Sequence, residues 1–404
     1  MLKYIQIIII FNLFTIELNP IHANQQILEN QITFELNAPQ SMNHNGYVKK
    51  FTQIRIKNSL KFETNNFSSK LHFSLDNDNN VHFDHSYLQK TTKNLTYGFG
   101  MIDRNWSFSP KSSLILSSNA RPFKSIYLKL DNSGKHIPEW IESLDIINGF
   151  TKSSLSSTDP MLFGLRLLIS PSKKLKFEFL RTFQWGGAGY NDSISQIHKT
   201  LTGDTNENTL SNINQMAGFG ISYTLYRNKY PINFYTQIIG EDEAGSLPSC
   251  NMYMLGLTTN KPIFSKLHKI GIEYTNTIIG HTKHNFCGPN TAYNNYIYKY
   301  SNYGAVMGAN IDTAGSSLEI FTEANISSNI ETKFSLKKVL INSSSSPQHR
   351  LSSNRQEGWI STANIAIKRN NKIINGTINY QSFPLDKIAS SAKLGVGISA
   401  TISF

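Results

Sequence analysis

Apolar residues recur at every second position along much of this chain, and helical spacing is sustained nowhere. Side chains on a strand alternate between two faces, so this period commits the chain to strands with one apolar face. Leu71, Phe73 and Leu75 alternate with His72 and Ser74, and Ile126, Leu128 and Leu130 with Tyr127 and Lys129. Phe163, Leu165, Leu167 and Ile169 form a further set, as do Ile270, Ile272 and Tyr274, and Ala363, Ile365 and Ile367. The final stretch, "SAKLGVGISATISF" (391–404), puts Leu394, Val396, Ile398, Ala400, Ile402 and Phe404 on one face and small or polar residues on the other.

The other end of the chain supplies a context for these strands. Residues 1–23 carry one Lys, an apolar stretch, Pro20 and then Ile21-His22-Ala23, and they read as a secretory signal peptide cut before Asn24. Beyond it there is no run of about 18 apolar residues, the length that marks a spanning helix. The best candidate, "MLFGLRLLI" (161–169), is broken by Gly164 and Arg166. A mean hydropathy of −0.31 excludes a helical membrane protein but not a β-barrel, in which half of each strand is polar.

Short turn signals such as "DNSG" (131–134), "SPSKK" (170–174) and "KRNNK" (368–372) alternate with long polar stretches such as "GDTNENTLSN" (203–212) and "NSSSSPQHRLSSNRQEG" (342–358). Tight turns on one side and long loops on the other are the habit of outer-membrane barrels. No composition break divides residues 24–404, so they read as one all-β unit: a transmembrane antiparallel β-barrel. At roughly 20 residues per strand and connection, it holds about 16–18 strands. The segment "IPEWIESLDIINGF" (137–150) fits either a short helix or a strand and its loop.

The net charge of +12 suits an acidic lipid surface or polysaccharide, although a genome biased toward Lys, Asn and Ile codons accounts for it equally. An exported chain is not expected to bind nucleic acid. The two cysteines, Cys250 and Cys287, make no zinc site alone and are free to pair in an oxidising compartment, as a link between two outer loops. No G-x-S-x-G, H-E-x-x-H or Walker A pattern occurs, so no nucleophile is named and no cofactor is expected.

Four stretches occur in an order that is specific as a set: "SSLILSSNARP" (112–122), preceded by Asp103, Arg104 and Trp106; "FQWGGAGY" (183–190); "FYTQIIGEDEAGSLPS" (234–249); and "EYTNT" (273–277) leading into the Tyr-rich tract 293–303. In these features the chain resembles the capsule assembly Wzi family over most of residues 97–320. The resemblance implies a barrel of about 18 strands in the outer membrane of a Gram-negative bacterium. It implies a lectin-like, non-enzymatic role: binding exported capsular or other surface polysaccharide and anchoring or organising it at the cell surface. The terminal aromatic strand ending in Phe404 resembles the signal read by the barrel-assembly machinery, and the wall is expected to meet outer-membrane lipid. The family's N-terminal periplasmic helical bundle is not expected here, because "ITFEL" (32–36) and "TQIRI" (52–56) already read as strands.

The candidate ligand-binding residues are Arg104, Trp106, Gln184, Trp185, Glu241, Asp242, Glu243 and Glu273. Trp185 among its glycines suits either stacking on a sugar ring or a tight strand end in an aromatic girdle. The acids at 241–243 suit sugar hydroxyls, a calcium ion or a glycosidase pair, or else a structural network with Arg104, Arg121, Arg166 or Arg181. Tyr296, Tyr298 and Tyr300 suit a membrane-interface belt or a sugar-stacking strand face. His82 and Asp84 share a face that reads as solvated. A general diffusion porin or other outer-membrane channel is the alternative function.

Overall fold

The computed structural model describes residues 27–37, 53–75, 80–133, 138–152, 159–202, 213–227, 230–244, 247–282, 286–387 and 394–404. The signal-peptide stretch lies outside the described residues, as does the loop 203–212. Among the described residues eighteen antiparallel strands follow one another around a closed wall, and a two-residue strand, Val81–His82, pairs beside the third of them. The eighteen are β1 Ile27–Asn37, β2 Gln53–Glu63, β3 Phe67–Leu75, β4 Tyr87–Thr92, β5 Leu95–Met101, β6 Lys124–Asp131, β7 Ile141–Phe150, β8 Met161–Ser172 and β9 Leu175–Trp185. Then come β10 Asn214–Arg227, β11 Tyr230–Ala244, β12 Leu247–Ile263, β13 Lys266–Asn276, β14 Ser316–Ser327, β15 Ile330–Ile341, β16 Gln356–Arg369, β17 Lys372–Gln381 and β18 Leu394–Ser403. The wall closes where β1 meets β18, with Ile32 opposite Ile402 and Phe34 opposite Ala400. Closure leaves no unpaired edge, which is the condition for strands to cross a bilayer. Of the segment expected to be a helix or a strand, residues 141–150 form strand β7, and its described residues hold no helix.

The alternation read from the sequence decides which face is which. On β18, Leu394, Val396 and Ile398 are exposed while Gly395 and Gly397 are buried, so the apolar row points outward. The outward rows of β6 (Ile126, Leu128), β13 (Tyr274), β14 (Leu318, Ile320) and β16 (Ile365, Ile367) are exposed in the same way. An apolar row facing away from the protein is a lipid-facing row. At one end five of the described connections are two residues long, Lys93-Asn94, Lys173-Lys174, Phe264-Ser265, Ser328-Asn329 and Asn370-Asn371, while 64–66 has three residues and 132–140 nine. Lys93, Phe264, Ser265 and Asn370 take the positive φ that such tight hairpins demand. These turns mark the periplasmic end, and the long connections mark the outer end.

Two outer connections fold back into the barrel, 102–123 and, of the second, the described residues 277–282 and 286–315; together with inward wall residues they form the hydrophobic core. Leu114, Ile115 and Leu116 at the tip of the first are fully buried against Tyr293, Tyr300, Val306, Met307 and Ile311 of the second. Each buried aliphatic side chain contributes about 1.5–3 kcal/mol. The Tyr-rich tract is therefore neither a strand face nor an interface belt. Tyr293 and Tyr303 have φ of +60° and +50°, which breaks the alternation, and Tyr293, Tyr298 and Tyr300 are buried while Tyr296 and Tyr303 are exposed. Cys250 and Cys287 are joined by a disulfide with a Cα separation of 5.8 Å. Cys250 belongs to strand β12, not to a loop, so the bond ties the second plug segment to the wall.

One short helix, α1 (Ser195–Thr202), stands in the connection after β9. Gly186, Gly187 and Gly189 all take positive φ and turn the chain sharply at the end of β9, and the chain after them returns against the outer wall. Ile197 packs on Phe163, Phe183 and Trp185, which are outward positions of β8 and β9. The Arg181 guanidinium donates to the Thr200 carbonyl at 2.8 Å and to Gln215 at 2.9 Å, holding the last turn of the helix.

Candidate functional site

Lumen-facing residues of neighbouring strands hold the first plug segment. On β11, Tyr235, Gln237, Ile239 and Glu241 fall on the inward face and all are buried. The Gln237 amide oxygen accepts from Leu114 N at 2.8 Å, and its Nε2 donates to the Trp106 carbonyl at 2.7 Å and to Glu178 Oε1 at 3.0 Å. Glu178 Oε2 takes Arg166 Nη2 at 2.7 Å. Glu273 accepts from the Ser109 hydroxyl and from Tyr235 Oη, the latter at 2.9 Å. Lys111 reaches Glu323 at 3.0 Å. Thus wall residues serve Trp106 O, Ser109, Lys111, Ser113 and Leu114 N of the descending segment, as burial of polar groups requires.

The second segment is held in the same manner. Tyr293 Oη donates to the Leu114 carbonyl at 2.7 Å, Tyr300 and Thr182 hydroxyls lie 3.1 Å apart, and Gln184 Nε2 donates to the Lys299 carbonyl at 3.1 Å. Asp312 and Arg350 form an ion pair through both guanidinium nitrogens. Burial raises the Asp312 pKa, but the Arg350 charge outweighs it and holds the carboxyl below its ordinary range.

The sequence candidates therefore fall mostly below the surface. Trp106 is buried in the core, its indole against Gly164. Gln184 spans between Asn214 and Lys299. Trp185, 1% exposed, lies on the outer wall under the connection that carries α1, so it presents no ring face to a ligand. Glu241 faces inward near Tyr293 and Tyr300. Asp242 and Glu243 continue β11, opposite Ser249 and Pro248, and their side chains lie outside the described residues. Glu273 anchors the plug. The arginines weighed as partners for 241–243 bind elsewhere: Arg166 to Glu178, Arg121 to Asp84, Arg181 to the helix and Arg104 to Ser125 Oγ at 2.8 Å. Phe404 follows β18 and is exposed.

Among the candidates whose side chains are described, Arg104 lines a small cavity, which it shares with Asp103, Ser117 and Arg121. Its guanidinium lies 5.4 Å over Phe123 and 5.7 Å over Tyr127, and burial lowers its pKa to about 10, so it stays charged at neutral pH. Next to it, four outer connections converge on Arg121. Asp84 takes its Nε and Nη2 at 2.9 and 3.0 Å, and the Tyr303 ring lies 4.1 Å from the guanidinium carbon. Asn302 Nδ2 donates to the Arg121 carbonyl at 2.8 Å and its Oδ1 accepts from Lys152 N at 2.8 Å. His85 and Asp103 pair at 3.2 Å beside them. Asp84, expected to be solvated, is buried by this pairing. Tyr303 keeps 40% of its surface exposed, and Lys152 and Asp103 are exposed as well. An aromatic face ringed by fixed hydrogen-bonding groups is a surface that a sugar can stack on and be oriented by. Sequence reading weighed Tyr303 only as part of the Tyr-rich tract, as an interface belt or a sugar-stacking surface, and missed Gln237, whose inward parity with Tyr235 and Ile239 was the available signal.

The fold and its filled lumen define an outer-membrane β-barrel plugged by its own outer loops. The chain belongs to the capsule assembly protein Wzi family, whose model matches residues 22–391. It is an outer-membrane protein of the Gram-negative type. The barrel is similar to Wzi of Escherichia coli, an outer-membrane carbohydrate-binding β-barrel involved in group 1 capsule assembly, with a TM-score of 0.77 and 19% identity over 93% of this chain and 84% of that one. It shares its fold more distantly with OprD of Pseudomonas aeruginosa, at a TM-score of 0.53 and 7% identity over 94% of this chain and 93% of that one. A 55.8 kDa protein encoded in the cps region of Klebsiella pneumoniae is 29% identical over 170 residues, a stretch spanning 39% of this chain and 33% of that relative.

Proposed function

We propose that the protein binds exported capsular or other surface polysaccharide at its outer mouth and anchors it to the cell, without chemical turnover. The observation that carries this reading is the cluster around Arg121 and Tyr303: an exposed ring and charged groups held by four loops above a filled lumen. Its hydrogen bonds fix the groups before a ligand arrives, which lowers the ordering cost of binding. One aromatic contact is worth about 0.5–1.5 kcal/mol, too little for a tight complex with one sugar. A repeating polymer engaging many barrels gains by avidity instead. The buried carboxylates Glu178, Glu273 and Glu319 are committed to Arg166, Tyr235 and Lys337, which weighs against an acid–base pair working on a glycosidic bond. A lumen filled by Leu114, Ile115 and Leu116 weighs against the porin alternative. Export through a signal peptide removed after Ala23 and insertion by the barrel-assembly machinery through the Phe404 strand belong to the same proposal.

The test compares cell-bound and shed polymer in parent, deletion and Tyr303→Ala cells, with heat-dependent gel mobility confirming a folded barrel. The proposal expects total polymer unchanged and the cell-bound share reduced in both mutants. Equal retention in parent and deletion cells would refute anchoring.

A further inference from the structure

We propose that the outer wall between β4 and β8 binds an acyl chain of a phosphorylated outer-leaflet glycolipid, in a groove ended by α1. The wall carries a concavity of about 750 Å³ there, lined almost wholly by apolar side chains. Its floor is a cross-strand row in which Leu88 faces Phe99, Phe99 faces Ile126 and Ile126 faces Asn148, which faces Phe163. Four inter-strand steps make this row about 19 Å long. Leu128 lies in the adjacent row. At the β8 end Ile194 and Ile197 rise above the floor as a ledge.

The location selects the occupant. Ile126 is 62% exposed and Ile194 80% exposed, in rows continuous with the lipid-facing belt. Beneath the groove, β4, β5 and β6 are only 6, 7 and 8 residues long. Spanning strands need about 9–11. The bilayer must therefore adapt to this sector, and a chain lying obliquely in a groove relieves such a mismatch locally. The ledge belongs to an outer connection, which puts the groove's upper edge at the outer-leaflet headgroups. Lys124 stands at the outer end of β6, on the same outward row as Ile126, and Lys199 is exposed on α1. These cations complement a phosphate, which a lipopolysaccharide carries and a zwitterionic phospholipid offers only beside its own amine.

The probes are deep-rough lipopolysaccharide and phosphatidylethanolamine, each reconstituted with the full-length barrel in nanodiscs and counted by native mass spectrometry after mild delipidation. Parent protein should retain lipopolysaccharide. Ile126→Trp fills the groove and should lower retention about tenfold, the equivalent of losing roughly two buried methylene groups. Lys124→Glu should lower lipopolysaccharide retention by about fivefold and leave phosphatidylethanolamine unchanged. Ile374→Trp, at an exposed outward position of β17, should match the parent. Heat-modifiable mobility verifies that each variant is folded. Equal lipopolysaccharide retention by parent and Ile126→Trp overturns the site, and equal retention of phosphatidylethanolamine by the parent overturns the glycolipid assignment. A parent dimer that Ile126→Trp dissociates without loss of lipid would give the groove to a second copy of the chain and overturn the proposal.

Discussion

Gln237→Leu tests whether the plug is held by the wall in the way its hydrogen bonds indicate. The side chain is fully buried and serves three groups at once: Leu114 N, the Trp106 carbonyl and Glu178 Oε1. Leucine fills similar space and serves none of them. The Trp106 carbonyl keeps the Ser113 hydroxyl at 2.8 Å, so two groups are left stranded. Each stranded buried group costs about 1–3 kcal/mol, giving about 4 kcal/mol as a central value. Against this stand Leu114, Ile115 and Leu116, whose burial contributes about 1.5–3 kcal/mol each. The segment should therefore remain docked most of the time, while its undocked fraction rises by about three powers of ten. In planar bilayers the parent should be silent and Gln237→Leu should show brief openings. Trypsin should cut at Lys111 far faster in the variant, because undocking also breaks the Lys111–Glu323 pair. Gln237→Glu should be worse still, since it sets a second carboxylate against Glu178. Identical silence and identical protection of Lys111 in parent and Gln237→Leu, both correctly folded, would refute the reasoning.

Two further predictions concern the second plug segment. Breaking the Cys250–Cys287 bond, which joins positions 37 residues apart, should remove about 4 kcal/mol of chain-entropy restraint; Cys287→Ser should leave the barrel heat-modifiable but speed proteolysis of residues 277–315, and unchanged cleavage would refute this. Burial lowers the His349 pKa, so undocked chain binds the proton more readily; the docking of 342–355 should be complete above about pH 6.5 and weaken as pH falls below it, a loss seen as faster hydrogen exchange and absent in His349→Gln. Asp312 has a linkage of the same sign in a lower window: its lowered pKa gives stability that persists above about pH 4 and disappears as pH falls through the folded value.

The wall was legible in the sequence because a lipid-facing strand cannot hide its period. Leu394, Val396 and Ile398 must all be apolar, and the residues between them must all suit the lumen. The plug was not legible for the converse reason. The inner turns of the two segments, around Leu114–Leu116 and Tyr293–Ile311, pack against the wall and against each other, so no face of them has to alternate. Tyr298 and Tyr300 imitate a strand face at a spacing of two, yet the positive φ of Tyr293 and Tyr303 shows a chain that turns repeatedly. Trp185 was misleading through its neighbours: the glycines after it take positive φ and turn the chain sharply back against the wall. Helix α1 spans eight residues, too few for the spacing of Ile194, Ile197 and Leu201 to stand out from a loop.

The depth of the family-bearing residues has a functional consequence. Trp106, Gln184, Glu241 and Glu273 sit beneath the mouth, and Gln184 and Glu273 hold the segments whose upper turns carry Arg121 and Tyr303. Scaffold and contact surface are therefore separate layers. The Asn302 bridge, from the Arg121 carbonyl to Lys152 N, transmits the position of the plug to the mouth. A substitution in the lower layer, such as Glu273→Gln, should weaken polymer binding only by loosening the segment, and so in step with protease sensitivity. A substitution of Tyr303 should weaken binding with protease sensitivity unchanged. Plotting the two measurements against each other for both variants separates the layers; a Tyr303→Ala protein that loses binding and plug protection together would show that the exposed ring is itself part of the scaffold.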